Sequence, residues 1–405
     1  MTSFFKRNAW VTGLWVLFAA LLLLTKFIQP NYGANDFGSL VRAALPYALT
    51  YAGLYGAIGI YLPYFPVWLE SRGFTAEQIG LVVALPAWLR IVTTPALAGL
   101  ADRSGRPRRL MLILAAGAFG CFLGLGFIES LVFIAVFQGI GALLHQPQLP
   151  IQESLAIQAS KRPLEAGGFD YGRARLWGSV AFVLANLGGG WLLTGRPTEL
   201  ILAAFVSLIG LTALAMLALP PDRGPDAARS GRWRLPWTLL AERRFLLFCI
   251  AGATLQGTHG FYYAFGSLAW LGEGLSEGQI GWLWAIGVIA EMLLFWHGGR
   301  LLARFGAYRL LGLGAVAGLV RWPLMALTAD PLLLVPIQML HGLTFAASHL
   351  GAMRHIADTV APERAATAQA LYATITGSLG IGSVMFLSGR LYDGLGADGY
   401  FVMAL

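Results

Sequence analysis

Charge is what this sequence has least of. Asp, Glu, Lys and Arg make up 12% of its 405 residues while 57% are hydrophobic; an average soluble domain carries about a quarter charged residues. That balance excludes a soluble globular fold and predicts an all-α protein that crosses a membrane many times. Lysine is almost missing: only Lys6, Lys26 and Lys161 occur, none of them in a G-x-x-x-x-G-K-[ST] phosphate loop, which disfavours a pump driven by nucleotide hydrolysis. Cysteine is confined to Cys121 and Cys249, both inside apolar runs, so neither a disulfide framework nor a metal site of the usual spacing is expected, and no cofactor is implied. There is no H-E-x-x-H pattern and no cysteine–histidine grouping, so an intramembrane enzyme would lack both metal and nucleophile. The formal charge of +8 comes as short basic clusters between apolar runs. Nucleic acid needs a continuous basic face, and no nucleic-acid partner is expected.

What the sequence has in abundance is apolar runs. A helix needs roughly 20 apolar residues to cross a hydrocarbon core of about 30 Å. Such runs stand at 46–69, 78–100, 108–128, 131–152, 174–194, 198–219, 244–271, 279–299, 306–328, 331–353 and 366–389, eleven in all. The breaks alternate in character. Those at 102–109, 160–175, 220–244, 298–309 and 354–364 hold most of the arginines, and those at 70–77, 129–130, 195–199, 272–278 and 329–330 hold few. The positive-inside rule makes the first set cytoplasmic. Residues 9–28, behind Lys6 and Arg7, form one more apolar stretch, read as an extra helix, an interfacial segment or a miscalled start. DGYFVMAL (398–405) reads as the opening of a twelfth span that is truncated.

The halves of the chain resemble each other. RGFTAEQIG (72–80) stands 201 positions before EGLSEGQIG (273–281), and Ala98-x-x-x-Asp102-Arg103-x-Gly105 stands 201 before Gly299-x-x-x-Ala303-Arg304-x-Gly306. The Pro-, Gly- and Arg-rich stretch from 220 has the composition of a solvated linker. The expected organisation is an extension over 1–45, a six-helix bundle over 46–219, a cytoplasmic linker over 220–243 and a second bundle over 244–405. Two parallel six-helix repeats are an architecture in which secondary transporters rock around a central site.

Several charges fall in or near the apolar runs: Arg90, Glu153, Arg175, Glu291, Arg321 and, at one end, Arg354, with His341 beside them. A charge at mid-helix costs about 3 kcal/mol on insertion scales. Six of them would sum to roughly 18 kcal/mol, more than the about 5–15 kcal/mol net stability of a typical protein. A water-filled cleft between the bundles offsets the cost and places the charges along a transport path. Arg173 is expected to snorkel at the interface, and Arg175, two residues on, to face the cleft. Glu291 has Arg90 at the equivalent place of the other half, and the two are candidates to pair.

The loop AGLADRSGRPRR (98–109) resembles the signature of the major facilitator superfamily, with Ala98 in place of the first glycine and Pro107 interrupting the basic tail. The resemblance implies a gating role for Asp102, Arg103, Gly105 and Arg106. YLPYFPVWL (61–69), PIQES (150–154) and GFDYGRARLWG (168–178) look like the corresponding parts of the lactose permease group, which implies a substrate-binding pair at Glu153 and Arg175. IGVIAEMLLF (286–295), LVRWPLM (319–325) and IQMLHGLTF (337–345) extend the resemblance to Glu291, Arg321 and His341, for substrate binding and proton coupling. That group has a carboxylate three residues after the histidine, where this sequence has Thr344, so the proton site does not transfer directly. PAWLRIV, LQGTHGFYYAFGSLAW (255–270) and LHGLTFAASHLGAMRHIA (340–357) resemble the 3-phenylpropionate permease branch of the superfamily, which implies a carboxylate substrate.

The expectation is therefore a monomeric, multi-pass proton symporter of the bacterial cell inner membrane that takes up a small organic anion. Arg90, Glu153, Arg175, Glu291 and Arg321 would bind substrate, and Glu153, Glu291 and His341 would couple protons. An excess of arginine over glutamate at the site suits an anion, since a carboxylate meets a guanidinium through two parallel hydrogen bonds. Phe261, Tyr262, Tyr263, Trp282 and Trp284 would flank an aromatic substrate or simply pack. The alternatives are a sugar or nucleoside symporter of the same fold, a non-transporting membrane sensor and an intramembrane enzyme.

Overall fold

The computed structural model describes residues 34–163, 168–222 and 237–405, so the apolar stretch 9–28 and most of the linker lie outside the described residues. Within them the chain is helical and holds no strand. The first half contributes α1 (Ala34–Ser71), α2 (Ala76–Ser104), α3 (Pro107–Phe127), α4 (Leu131–Ser160), α5 (Tyr171–Leu193) and α6 (Glu199–Leu217). The second contributes α7 in two pieces (Arg243–Gly257 and His259–Gly272), α8 (Glu277–Trp296), α9 (Gly298–Leu327) and α10 (Pro331–Thr359). It continues with α11, from Pro362–Ala373 through Thr374–Ile381 to Gly382–Leu395, and the short α12 (Gly399–Val402). Among the described residues, ten stretches are long and apolar enough to cross a membrane. The pieces of α7, interrupted at Thr258, make one more crossing together.

The internal repeat is visible in backbone detail. α2 and α8 open with the same capping box: Thr75 and Gln78 exchange hydrogen bonds with each other's backbone N–H, and Ser276 and Gln279 do likewise. This satisfies amides that a helix start leaves without partners. A glycine two residues before each cap turns the chain with positive φ, +87° at Gly73 and +90° at Gly274. Gly105 and Gly306, paired by the 201-residue offset, also have positive φ, 59° and 71°, where a side chain would meet the backbone.

Three features depart from the sequence reading. Besides the interruption of α7, α9 begins at Gly298 and carries a backbone break at Gly306. In α10 and α11 the hydrogen bonding widens to a π-helical pattern over Gly342–Ala347 and Thr374–Ile381. Such local insertions into a helix are rare and concentrate at functional sites.

The halves meet along α2–α11, α5–α8 and α1–α7. Small residues let the backbones approach. A Cβ at Gly80 would lie 2.9 Å from the Met385 carbonyl, and one at Gly190 would lie 2.5 Å from the Glu277 carbonyl. Tyr64 of α1 donates to the carbonyl of Asn186 in α5 (3.0 Å) and also reaches that of Glu277 in α8 (3.3 Å), tying three helices. These contacts gather toward the arginine-poor end, where one apolar core runs through both halves, from Tyr64, Phe65 and Ile79 to Phe261, Ile280 and Tyr400. At the arginine-rich end the core divides. Tyr51, Met111, Ile151, Ala174 and Met216 form a cluster within the first half, and Phe245, Cys249, Ile356, Ala368 and Tyr372 form another within the second. The bundles are closed together at one end and part at the other.

Candidate functional site

Asp170 sets the start of α5. Its carboxylate accepts the Arg173 amide (3.0 Å) as an N-cap, which places Arg175 one turn into the helix and directs it at α1 and α4. Arg175 Nε stands 3.5 Å from Glu153 Oε1, with the two side chains 29% and 37% exposed. An ion pair so exposed and touching through one nitrogen contributes only about 0.2–1 kcal/mol, so both charges stay available to a third group. Arg175 also donates to the Tyr55 hydroxyl. Its guanidinium lies 4.2 Å from the Tyr55 ring centroid and 5.6 Å from that of Tyr51. A cation held on two aromatic faces keeps its orientation while remaining accessible.

The second half builds a different kind of site. Arg321 is 0% exposed, and among the described residues no carboxylate is bound directly to it. Its Nη1 donates to His341 Nδ1 (3.1 Å) and Thr344 Oγ1 (3.0 Å), and its Nη2 donates to Gln338 Oε1 (2.8 Å). Gln338 then donates to the Tyr262 hydroxyl (2.8 Å), and the Tyr262 and Trp322 rings flank the guanidinium at 5.1 and 4.5 Å. The donors fix the tautomers. An arginine cannot accept, so His341 Nδ1 is bare and its proton sits on Nε2, which faces Glu291 Oε2 at 3.7 Å. A backbone carbonyl cannot donate, so His259 Nδ1 gives its proton to Gln256 O (3.1 Å), and its bare Nε2 takes the Thr344 hydroxyl (3.1 Å). Two neutral imidazoles thus border a buried cation with no like-charge penalty. Of the two, His341 faces Glu291, whose carboxylate is 23% exposed. Arg175 of the opposite half is among the charges that act on Glu291.

Arg90 stands apart from both groups. It lies on α2 and sends Nε and Nη2 to a single hydroxyl, Ser378 Oγ, at 3.3 and 3.2 Å. Ser378 belongs to the π-helical stretch of α11. The pairing of Arg90 with Glu291 that the sequence offered is not formed. Glu153 and Arg175 come together as expected, and Glu291 meets His341 instead. Arg321, expected to hold substrate, instead sits behind His341. Arg354 points away from the cleft and pairs with exposed Asp358 on its own helix (2.9 Å). Among the aromatic candidates Tyr262 stacks on Trp284 at 4.3 Å beside Arg321, and Trp282 is 59% exposed on the outer face of α8. In the motif loop Asp102, Arg103 and Arg106 are exposed; Arg103 Nε donates to the Gly99 carbonyl (3.2 Å), and no ion pair joins Asp102 to Arg103.

Sequence reasoning missed Tyr51, Tyr55, Gln338, Ser378 and the part played by His259. Tyr51 and Tyr55 are four apart on α1 and so share a face, and Gln338 precedes His341 by one turn, so helical spacing carried a signal for these three. Ser378 carried none.

Comparison with known proteins bears on the whole chain. Residues 45–403 match the model of the MFS_1 like family. The chain is 33% identical over 374 residues to the "Probable 3-phenylpropionic acid transporter" of Escherichia coli (strain K12), covering 88% of this chain and 93% of that protein. It is 30% identical to the maltose permease of Geobacillus stearothermophilus over 370 residues, 89% and 90% of the two chains. Among solved structures, the nucleoside transporter NupG superposes with a TM-score of 0.77 at 17% identity, covering 89% of this chain and 95% of that one.

Proposed function

The chain belongs to the MFS_1 like family, within the major facilitator superfamily, and from that premise we propose that it takes up a small organic anion, an aromatic acid of the phenylpropionate kind, together with protons. The coarser statement, that it is a multi-pass secondary transporter, follows from the family. The observation that carries the finer one is the charge balance of the site: Arg90 and Arg175, with Arg321 buried behind His341, stand against Glu153 and Glu291. An anion entering from the open end meets two partly exposed guanidinium groups, those of Arg90 and Arg175. The relative named for 3-phenylpropionic acid supports the same class.

In this reading Arg90 and Arg175 meet the substrate and Glu153 holds Arg175. Glu291 exchanges protons, and Arg321 acts on it through His341. Asp102, Arg103, Gly105 and Arg106 form the gate at the arginine-rich end. That end faces the cytoplasm of a bacterial inner membrane, the protein works as a monomer, and the linker 220–243 joins bundles over 46–219 and 244–405 behind an extension at 1–45.

A sugar or nucleoside substrate is the second reading. The maltose permease relative favours it, and the loose Glu153–Arg175 pair offers both an acceptor and donors to hydroxyl groups. Uptake of labelled 3-phenylpropionate into vesicles under an inward pH gradient, challenged with unlabelled aromatic acids, sugars and nucleosides, decides between the two. Competition by the acids alone is the expected result. Absence of gradient-driven uptake of the acid, with labelled maltose or a labelled nucleoside taken up in its place, overturns the anion.

A further inference from the structure

We propose that the substrate's carboxylate is received by Arg90 and Ser378, across the seam between α2 and α11. The inference rests on the anionic-substrate reading and says where the anion binds.

Of the three candidate arginines, two are already accompanied. Arg175 has a carboxylate at 3.5 Å and an aromatic ring under its guanidinium. Arg321 is sealed from solvent behind His341, Thr344 and Gln338. Arg90 is partly exposed, and its only hydrogen-bond acceptor among the described residues is one serine hydroxyl. A guanidinium carries five N–H donors. Two are spent on Ser378, which leaves three for a ligand. Beside them Gly377 keeps the approach open, because a Cβ there would stand 3.0 Å from Arg90 Nη2.

The repeat sharpens the argument. The 201-residue offset maps Arg90 onto Glu291 and the region of Ser378 onto the region of Arg175. The α5–α8 seam therefore carries an acid on α8 and a base on α5. At the α2–α11 seam Arg90 takes the acid's place and a hydroxyl takes the base's, so the seam holds a positive charge and no acid. A substrate carboxylate supplies the missing charge. Ser378 also stands on a π-helical turn, a distortion retained where a helix serves a site. Arg90 belongs to one bundle and Ser378 to the other, so an anion held by both bonds the two bundles to each other.

The test compares binding of 3-phenylpropionate and its uncharged amide, 3-phenylpropionamide, to the purified full-length chain. Wild type should prefer the acid. Arg90→Gln should weaken acid binding about 10- to 100-fold, the span of a lost charge-assisted hydrogen bond, and collapse the acid-to-amide ratio. Ser378→Ala should weaken the acid about 3- to 10-fold, as for a neutral hydrogen bond. Arg175→Gln, at a residue that meets the substrate away from its carboxylate, should weaken acid and amide alike and so leave the ratio standing. If wild type binds the acid no better than the amide, the anionic-substrate reading falls and this inference falls with it. If wild type prefers the acid and that preference survives Arg90→Gln, or is lost in Arg175→Gln instead, only this inference is overturned. Should Arg90→Gln not fold, as judged by thermal unfolding, Ser378→Ala and Arg90→Lys carry the same comparison.

Discussion

Thr344 stands where the lactose permease group has a carboxylate, and its surroundings suit a hydroxyl. It accepts a hydrogen bond from Arg321, and its hydroxyl proton lies within reach of both His259 Nε2 (3.1 Å) and the His341 carbonyl (3.3 Å). Thr344→Val keeps the shape, removes these bonds and leaves His259 Nε2 with no hydrogen bond; a buried polar group so stranded costs about 1–3 kcal/mol. Thermal unfolding should show the loss, and Thr344→Ser should restore it. An equally stable valine variant would mean that the network does not hold the second bundle. Glu291 makes a separate prediction. Glu291→Gln retains an acceptor for His341 Nε2 but cannot take up a proton, so accumulation against a gradient should vanish while exchange of labelled for unlabelled substrate continues. Undiminished accumulation in that variant would remove Glu291 from the coupling path. The acid and the histidine were legible in the sequence because an ionisable group within an apolar run stands out. Ser378, Tyr55 and Gln338 were not, since a serine, a tyrosine or a glutamine within a helix has many bland uses and only the fold shows which ones converge.

Among the helices, hydropathy revealed the crossings but not their interruptions. α7 parts at Thr258 without a proline, and the wide turns in α10 and α11 occur in sequences, GLTFAA and TITGSLGI, whose apolar period is that of an ordinary helix. Backbone demands were easier to read. The paired glycines at 73 and 274, and at 105 and 306, fall where the repeat requires positive φ. The seams add a demand of another kind. Gly190 lies so near α8 that an added Cβ would stand 2.5 Å from the Glu277 carbonyl and 2.9 Å from the Tyr64 hydroxyl. Neither the carbonyl nor its helix can give way locally, so Gly190→Val should pry α5 from α8 and open the arginine-poor end. In a chain with Cys121 and Cys249 replaced, a cysteine at Tyr55 should then react with a membrane-impermeant maleimide applied from that side. Equal labelling with glycine and valine at 190 would show that the seam tolerates the bulk.

For the whole molecule, the decisive fact is that one apolar core serves both halves at one end while two separate cores serve them at the other. No local pattern in the chain encodes that difference, because it belongs to one conformation of a pair that a rocking carrier must visit. The charges at the parted end fit this view. Asp222 caps the start of α3 through the Arg108 and Arg109 amides (2.9 and 3.0 Å), and Arg364 holds Glu242 at 3.0 Å, so each end of the linker is anchored to its own bundle. Asp102, by contrast, is exposed, and its side chain makes no hydrogen bond or ion pair among the described residues. If Asp102 belongs to the gate proposed above, its partner stands in the opposite conformation, where the arginine-rich ends close. Removing it should therefore leave the stability of the present conformation alone and shift the equilibrium toward it. A contact of about 1 kcal/mol, ordinary for a carboxylate at a helix end, corresponds to roughly a fivefold change in population. Asp102→Asn should slow transport several-fold, raise labelling of a Tyr55→Cys variant from the arginine-rich side and leave the melting temperature unchanged. If transport falls only together with the melting temperature, Asp102 supports the present fold and the gate lies elsewhere.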